Sequence, residues 1–80
     1  MVEVNLWSGL RRFTDGEIVV SVEATTVGEL LDALVKAHPG LAPVIEAGVS
    51  VAVDGEIITG RQNPVPADAE VYLMQRLKGG

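Results

Sequence analysis

The chain has 80 residues, a formal net charge of −5 and no cysteine, and 48% of its residues are hydrophobic but only 4% are aromatic. This length supports one domain with an aliphatic core, and the absence of cysteine excludes disulfides, thiolate metal sites and thiol catalysis within the chain. The acidic balance, with six basic residues in all, argues against nucleic acid as a partner.

The first predicted elements are two strands that form a β-hairpin. Apolar residues occupy every second position of residues 2–6 and again of residues 18–22. This period of two is typical of half-buried strands. The segment between them, residues 8–16, contains two glycines and an Asp and is predicted to be a connection.

A helix is predicted for residues 27–38. Thr26 and Glu29 have the spacing of a capping box, in which the Thr hydroxyl accepts from the Glu29 amide and the Glu29 side chain reaches back. Asp32 and Lys36 stand in the favourable acid-first order for an ion pair. A Pro-Gly dipeptide then ends the helix. The apolar stripe at helical spacing consists of Val27, Leu30, Leu31, Leu34 and Val35.

The second half of the chain returns to strands after a short helical turn. Alternating valines at 49–53 lead into an Asp-Gly pair at 54–55, which is a strong tight-turn signal. Residues 56–59 are expected to form a short partner strand. A loop over 60–69 precedes a last alternating strand at 71–75. The order of elements predicts a two-layer α+β domain whose last strand lies parallel to its first.

Several short motifs in this order carry a resemblance to a known family. They are Gly9-Leu10-Arg11, Thr26-Val27-Gly28-Glu29-Leu30-Leu31, Val51-Ala52-Val53-Asp54-Gly55, Ala67-Asp68-Ala69-Glu70-Val71 and the terminal Gly79-Gly80. Together they resemble the β-grasp fold of the ubiquitin superfamily and, within it, the MoaD/ThiS sulfur carriers, over essentially all 80 residues. The resemblance implies a mixed four- to five-stranded sheet packed on one main helix. Residues 1–75 would form the domain and residues 76–80 a flexible tail.

The resemblance implies a carrier that is a substrate rather than an enzyme. The carboxylate of Gly80 would be adenylated with ATP by a separate enzyme of the MoeB/ThiF type and converted to a thiocarboxylate. A sulfur-acceptor synthase subunit would then receive the sulfur in molybdopterin or thiamine-like cofactor biosynthesis. The chain would bind no cofactor or metal itself, although it could serve as the small subunit of a synthase such as molybdopterin synthase.

The tail is the predicted site. Glycine lacks Cβ, so Gly79 and Gly80 can follow a narrow channel to the reacting carbonyl, and Arg76, Leu77 and Lys78 would guide the arm. The tail is similar to the end of ubiquitin, whereas bacterial MoaD tails usually carry prolines and small residues. A protein modifier conjugated through Gly80 to lysines, and a β-grasp module with no covalent role, therefore remain alternatives. A frayed terminus would also be glycine-rich.

Three further side chains are predicted to dock a partner. If Val71 and Leu73 face the helix, Tyr72 and Met74 face out from the sheet beside the tail, and Trp7 has the same phase in the first strand. Partial burial under a neighbouring loop is the alternative for them. His38, the one histidine, lacks partners at catalytic or metal-binding spacing. No segment has transmembrane length or the pattern of a signal peptide, so we expect a cytoplasmic protein, monomeric when free.

Overall fold

The structure, a computed structural model, describes residues 1–58 and 60–75. The described residues form one five-stranded sheet, two α-helices and two 3₁₀-helices. The strands are β1 (Val2–Asn5), β2 (Val19–Val22), β3 (Val49–Val53), β4 (Glu56–Ile58) and β5 (Glu70–Gln75). The helices are α1 (Val27–Ala37) and α2 (Ala42–Ala47), with 3₁₀-helices at Ser8–Phe13 and Pro39–Leu41.

The sheet is mixed, with the strand order β2-β1-β5-β3-β4. β1 and β5 are parallel, as predicted, whereas the other neighbouring strands pair antiparallel. Both predicted hairpins, β1–β2 and β3–β4, are therefore confirmed. Asp54 and Gly55 join β3 to β4 with φ angles of 51° and 84°. Two successive left-handed residues are typical of the type I′ turn that the Asp-Gly pair predicts.

The core lies between one face of the sheet and α1. Register pairs such as Val4 with Val20, and Val71 with Val4 and Val53, bring alternate side chains of neighbouring strands onto this face. Leu30 and Leu34 of α1 are fully buried against them. The predicted apolar stripe is thus the buried side of the helix except at Val35, which is only half-buried, and the aliphatic core follows from the composition.

Side-chain hydrogen bonds fix the start of α1. The hydroxyl of Thr26 accepts from the amide of Glu29 at 3.2 Å, which confirms the predicted N-cap. The carboxylate of Glu29 reaches back to Thr25, accepting from its amide at 2.9 Å and from its hydroxyl at 2.8 Å. It therefore bonds one residue earlier than the N-cap residue that a standard capping box would use.

Three details differ from the sequence-based expectations. The helix ends at Ala37, one residue early, and His38 caps it through its amide, which donates to Leu34 O at 2.8 Å. Asp32 accepts from Nη2 of Arg61 at 3.1 Å, and its predicted pairing with Lys36 is not seen within the described ranges. Ile18 precedes β2 and is 51% exposed, so the buried alternation there begins only at Val20.

Candidate docking surface and carboxyl terminus

The predicted reacting group, the carboxylate of Gly80, follows the last strand, β5, in the sequence. The tail residues Arg76, Leu77, Lys78, Gly79 and Gly80, and with them the expected boundary between domain and tail, are outside the described residues. β5, which runs to residue 75, directly precedes them and is the middle strand of the sheet, between β1 and β3. The structure therefore defines the platform from which the tail leaves.

The face of the sheet opposite α1 carries a row of side chains that crosses all five strands. Register pairs join Val19 to Asn5, Asn5 to Tyr72, Tyr72 to Ala52, and Ala52 to Ile57. We refer to these five residues as the transverse row. Val19 is 42%, Tyr72 45% and Ile57 60% exposed, which is unusual for large apolar or aromatic side chains. The row thus places three exposed apolar or aromatic side chains on the outer face of the sheet, with the half-buried polar Asn5 and the buried Ala52 between them.

The two predicted docking residues of β5 point as the alternation indicates. Val71 and Leu73 are buried in the core, whereas Tyr72 is exposed and Met74 is half-buried. Met74 pairs with Ser50 of β3, and Tyr72 pairs with Ala52. The Met74 pair is two residues nearer to the tail. Tyr72 and Met74 therefore share the outer face near the point where the tail begins.

Trp7 occupies a different environment from these two side chains. It follows the end of β1, is half-buried and packs against the hydrophobic core. Its indole also lies against the first 3₁₀-helix, since a Cβ atom at Gly9 would be 3.0 Å from Nε1 of Trp7. This position favours the alternative of partial burial, and the ladder pairs that build the transverse row do not include Trp7. Its role in docking stays a prediction.

Acidic side chains border the transverse row on the side away from the tail. Glu3 and Glu70 are register partners on β1 and β5, two positions before Asn5 and Tyr72. With Asp68 they line a concave site of about 390 Å³, which Tyr72 also lines. Exposed acidic residues and Tyr72, the central member of the row, thus line the same concave site.

Comparison with known proteins gives a family match that covers both the domain and the tail sequence. The sequence model of the ThiS family matches residues 4–80, nearly the whole chain and including the terminal Gly79-Gly80. The chain belongs to the ThiS family. No curated protein matches the sequence significantly.

Solved structures agree with this ThiS-family assignment. The crystal structure of the Amycolatopsis orientalis BexX/CysO complex contains a similar chain, 25% identical, with full coverage of both chains and a TM-score of 0.81. SAMP1 from Haloferax volcanii is 30% identical, with 99% of this chain and 98% of that one covered and a TM-score of 0.72. A second structure, of H. volcanii small archaeal modifier protein 1, is 28% identical over 95% of this chain and 97% of that one, with a TM-score of 0.74.

These matches confirm the predicted β-grasp fold and the predicted family resemblance. The protein is a ubiquitin-like sulfur carrier, a type of protein that is not itself an enzyme. In the part of the chain that the structure describes, no helix is both long enough and apolar enough to cross a membrane.

The remaining polar candidates of this ThiS-family chain have local roles. Nε2 of His38 lies 3.9 Å from a carboxylate oxygen of Glu17, and residues 1–58 and 60–75 contain no cluster of possible metal ligands. Hydrogen bonds from the Thr25 amide and, secondarily, from its hydroxyl hold the pKa of Glu29 below its usual range. Glu29 is thus engaged in capping α1, and Asp32 forms an exposed ion pair with Arg61.

Sequence patterns alone did not single out the other members of the outer face. Asn5, Val19 and Ile57 join Tyr72 in one row only through strand register. Asn5 and Tyr72, which are direct register partners, are 67 positions apart in the sequence. Alternation did predict that Asn5 and Val19 face outward, whereas residues 56–59 were predicted only as a short partner strand. The signal that could have found the row was the combination of this alternation with the expected parallel pairing of the first and last strands.

Proposed function

We propose that this protein is a sulfur carrier whose Gly80 carboxylate is adenylated with ATP by an enzyme of the MoeB/ThiF type and then converted to a thiocarboxylate. The observation that carries the proposal is the ThiS-family match, which extends from residue 4 through the terminal Gly-Gly to residue 80. The cytoplasm is the proposed compartment, because the reaction consumes ATP.

The proposed chemistry explains why a second protein is required. A C-terminal carboxylate is an anion at neutral pH and a poor acyl donor. A carboxylate oxygen of Gly80 would attack the α-phosphate of ATP and release pyrophosphate. A persulfide would then attack the acyl carbonyl and release AMP, and a thiol would cleave the new S–S bond to leave the thiocarboxylate. The described residues supply the docking surface for these steps rather than their nucleophiles.

The position of β5 suits this role. The end of β5 and the carboxylate of Gly80 are separated by residues 76–80, and these five residues can span at most about 18 Å. An enzyme that binds the outer face at Tyr72 and Met74 would therefore have to place its nucleotide within that reach. CysO, the similar chain from A. orientalis, was crystallised in a complex with BexX. That complex supports a carrier that works through a bound partner.

The proposed acceptor of the sulfur is a synthase subunit of molybdopterin or thiamine-like cofactor biosynthesis. A second candidate function is a protein modifier joined through Gly80 to lysines. The similarity to small archaeal modifier protein 1 and the Arg76-Leu77-Lys78-Gly79-Gly80 tail favour it. Intact mass separates the two, because a carrier would gain only the difference between sulfur and oxygen, whereas a modifier would appear attached to other proteins.

The proposal is tested by moving the terminal carboxylate while keeping the domain intact. Deletion of Gly80 draws the carboxylate back by about 3.5 Å, and an added residue moves it outward, so both variants should lose activation. Gly80→Ala keeps the reach but adds Cβ, and should slow adenylation without abolishing it. ATP–pyrophosphate exchange with a MoeB/ThiF-type enzyme of the same genome measures activation, and circular dichroism checks the fold. Normal exchange by the shortened and extended forms would overturn both covalent functions.

A further inference from the structure

The outer face is electrically asymmetric along the strand direction. β1 and β5 are parallel, so both begin at the same end of the sheet, and the tail leaves from the other end. The beginning of these strands carries the in-register carboxylates Glu3 and Glu70. Asp68 stands beside them, and the carboxylate of Asp54 accepts from the Glu70 amide at 2.9 Å. Four acidic side chains therefore gather at the end of the sheet remote from the tail.

The opposite end carries charges of both signs. β1 leads into the first 3₁₀-helix, whose last turn contains the exposed Arg11 and Arg12. The guanidinium of Arg12 lies 5.0 Å from the centroid of the Phe13 ring, which holds it near the domain. Asp15 and Glu17 are exposed in the same connection, and the amide of Gly16 between them donates to Arg11 O at 2.8 Å. The carboxylate cluster at Glu3 and Glu70 is therefore the part of the surface near Tyr72 that carries charge of one sign.

Tyr72 belongs to both the apolar and the acidic part of the surface. It is the central member of the transverse row, and it also lines the concave site beside Glu3 and Glu70. An arginine side chain suits this combination, because its planar guanidinium pairs with carboxylates and stacks on aromatic rings, while its aliphatic stem covers apolar surface. A lysine would supply charge but not the stacked geometry.

We propose that the outer face binds a protein surface that sets apolar side chains against the exposed members of the transverse row and arginine side chains against Glu3 and Glu70. The inference rests on the proposed function, because the partner meant is the activating enzyme. Glu70 precedes Tyr72 by two residues, or about 7 Å along the strand, in the direction away from the tail. The basic groups of the partner and its nucleotide site therefore lie on opposite sides of Tyr72, which fixes the orientation of docking.

Charge also argues against the other occupants of this face. A second copy would bring another net charge of −5 to it, and nucleic acid would bring phosphates to the Glu3–Glu70 carboxylates. A basic partner surface gains from the same carboxylates, mainly in association rate and in specificity.

The test compares two double variants of equal charge. Glu3→Gln with Glu70→Gln removes the carboxylates at Tyr72, whereas Glu17→Gln with Glu46→Gln removes exposed carboxylates elsewhere. Each takes the net charge from −5 to −3 by removing two negative charges. ATP–pyrophosphate exchange with the MoeB/ThiF-type enzyme gives kcat and KM for the carrier at low and high salt. We expect the first variant to raise KM by about 10-fold at low salt with kcat unchanged, and to lose most of the salt dependence.

Stability separates this effect from misfolding. Glu3 and Glu70 are like charges directly opposite each other, so their replacement should leave the melting temperature unchanged or raise it while binding weakens. An unchanged KM, or an equal rise in the Glu17/Glu46 control, would overturn the inference and leave the proposed function standing. Absence of exchange with the wild-type protein would overturn both. Dimers in sedimentation analysis that dissociate in the Glu3/Glu70 variant would identify a second copy as the occupant instead.

Discussion

The side-chain amide of Asn5 donates a hydrogen bond to the main-chain carbonyl of Val71 at 3.0 Å, linking the first strand to the last. Asn is normally depleted in strands, because its polar side chain gains little on a pleated surface. Here it fastens β1 to the strand that leads into the tail. The bond also holds Asn5 beside Tyr72, which is the central member of the transverse row.

Asn5→Ala should lower the free energy of unfolding by about 0.5–1.5 kcal/mol, the usual net value of one such hydrogen bond. Urea denaturation measures the loss. Ser21→Ala is the matched control, because Ser21 lies on the same face of the neighbouring strand β2 and is exposed. Equal effects of the two substitutions would contradict a specific role for the Asn5–Val71 bond.

Thr26→Ala should cost about 0.5–2 kcal/mol, because the hydroxyl of Thr26 caps α1 by accepting from the Glu29 amide. Thr26→Ser retains the hydroxyl and should stay close to wild type. Chemical denaturation of the three proteins measures the difference. If the Ser variant lost as much as the Ala variant, packing of the Thr methyl group rather than the cap would be responsible.

Glu29 should make the free energy of unfolding depend on pH in the acidic range. Its pKa in the folded state is held below the usual range, first by the Thr25 amide and then by the Thr25 hydroxyl. A carboxylate whose pKa falls on folding stabilises the fold above its unfolded pKa, and this contribution is lost as pH falls through the folded pKa. The stability of wild type should therefore exceed that of Glu29→Gln at neutral pH, and the gap should close in acid. Unfolding measured from neutral pH downward checks this, and a constant gap would contradict it.

Leu34→Ala should cost about 2–5 kcal/mol, because Leu34 of α1 is fully buried against the sheet and its truncation leaves a cavity. Val35→Ala is the neighbouring control, since Val35 is only half-buried and should lose less. Thermal melts of both variants give the comparison. A larger loss for Val35 would mean that the helix packs through a different side.

Tyr72→Ala combined with Met74→Ala should weaken binding to the activating enzyme more than it lowers stability. Removal of an aromatic anchor from an interface often costs about 2 kcal/mol of binding free energy or more. Titration calorimetry measures binding, and thermal melting measures stability. Leu73→Ala, between them and buried, should show the reverse pattern. A destabilised double variant with normal binding would place the two side chains in the core rather than in an interface.

The fold could be predicted from the sequence because its determinants are local. Alternation gave the strands and their buried sides, helical spacing gave the buried stripe of α1, and Asp54-Gly55 gave the hairpin turn. The pairing of Asp32 escaped prediction because Arg61 is 29 positions away, whereas Lys36 is on the adjacent helical turn. Rules based on helical spacing predict the nearby partner, Lys36, although the fold of a loop can bring a distant residue such as Arg61 into contact with Asp32.

The docking surface was predictable only in part for the same reason. The outward direction of Tyr72 and Met74 can be predicted from the alternation within one strand. Prediction of the transverse row and of the Glu3–Glu70 pair also requires the register between neighbouring strands. Trp7 shows where strand alternation stops predicting side-chain direction, because β1 ends at Asn5, two residues before Trp7, and a 3₁₀-helix begins directly after it at Ser8. Beyond the end of a strand, side-chain direction is set by the next element.

The central place of β5 has a consequence for the order in which the domain can be completed. The hairpins β1–β2 and β3–β4 each form from contiguous sequence, but in the described sheet they meet only through β5. A nascent chain that lacks residues 70–75 would hold two unconnected hairpins, and closure of the long loop between Glu3 and Glu70 is entropically costly. The two hairpins therefore become one sheet only when β5, the strand that leads into the tail, pairs with both β1 and β3. Completion of the sheet and formation of the surface around Tyr72 thus depend on the same strand, β5.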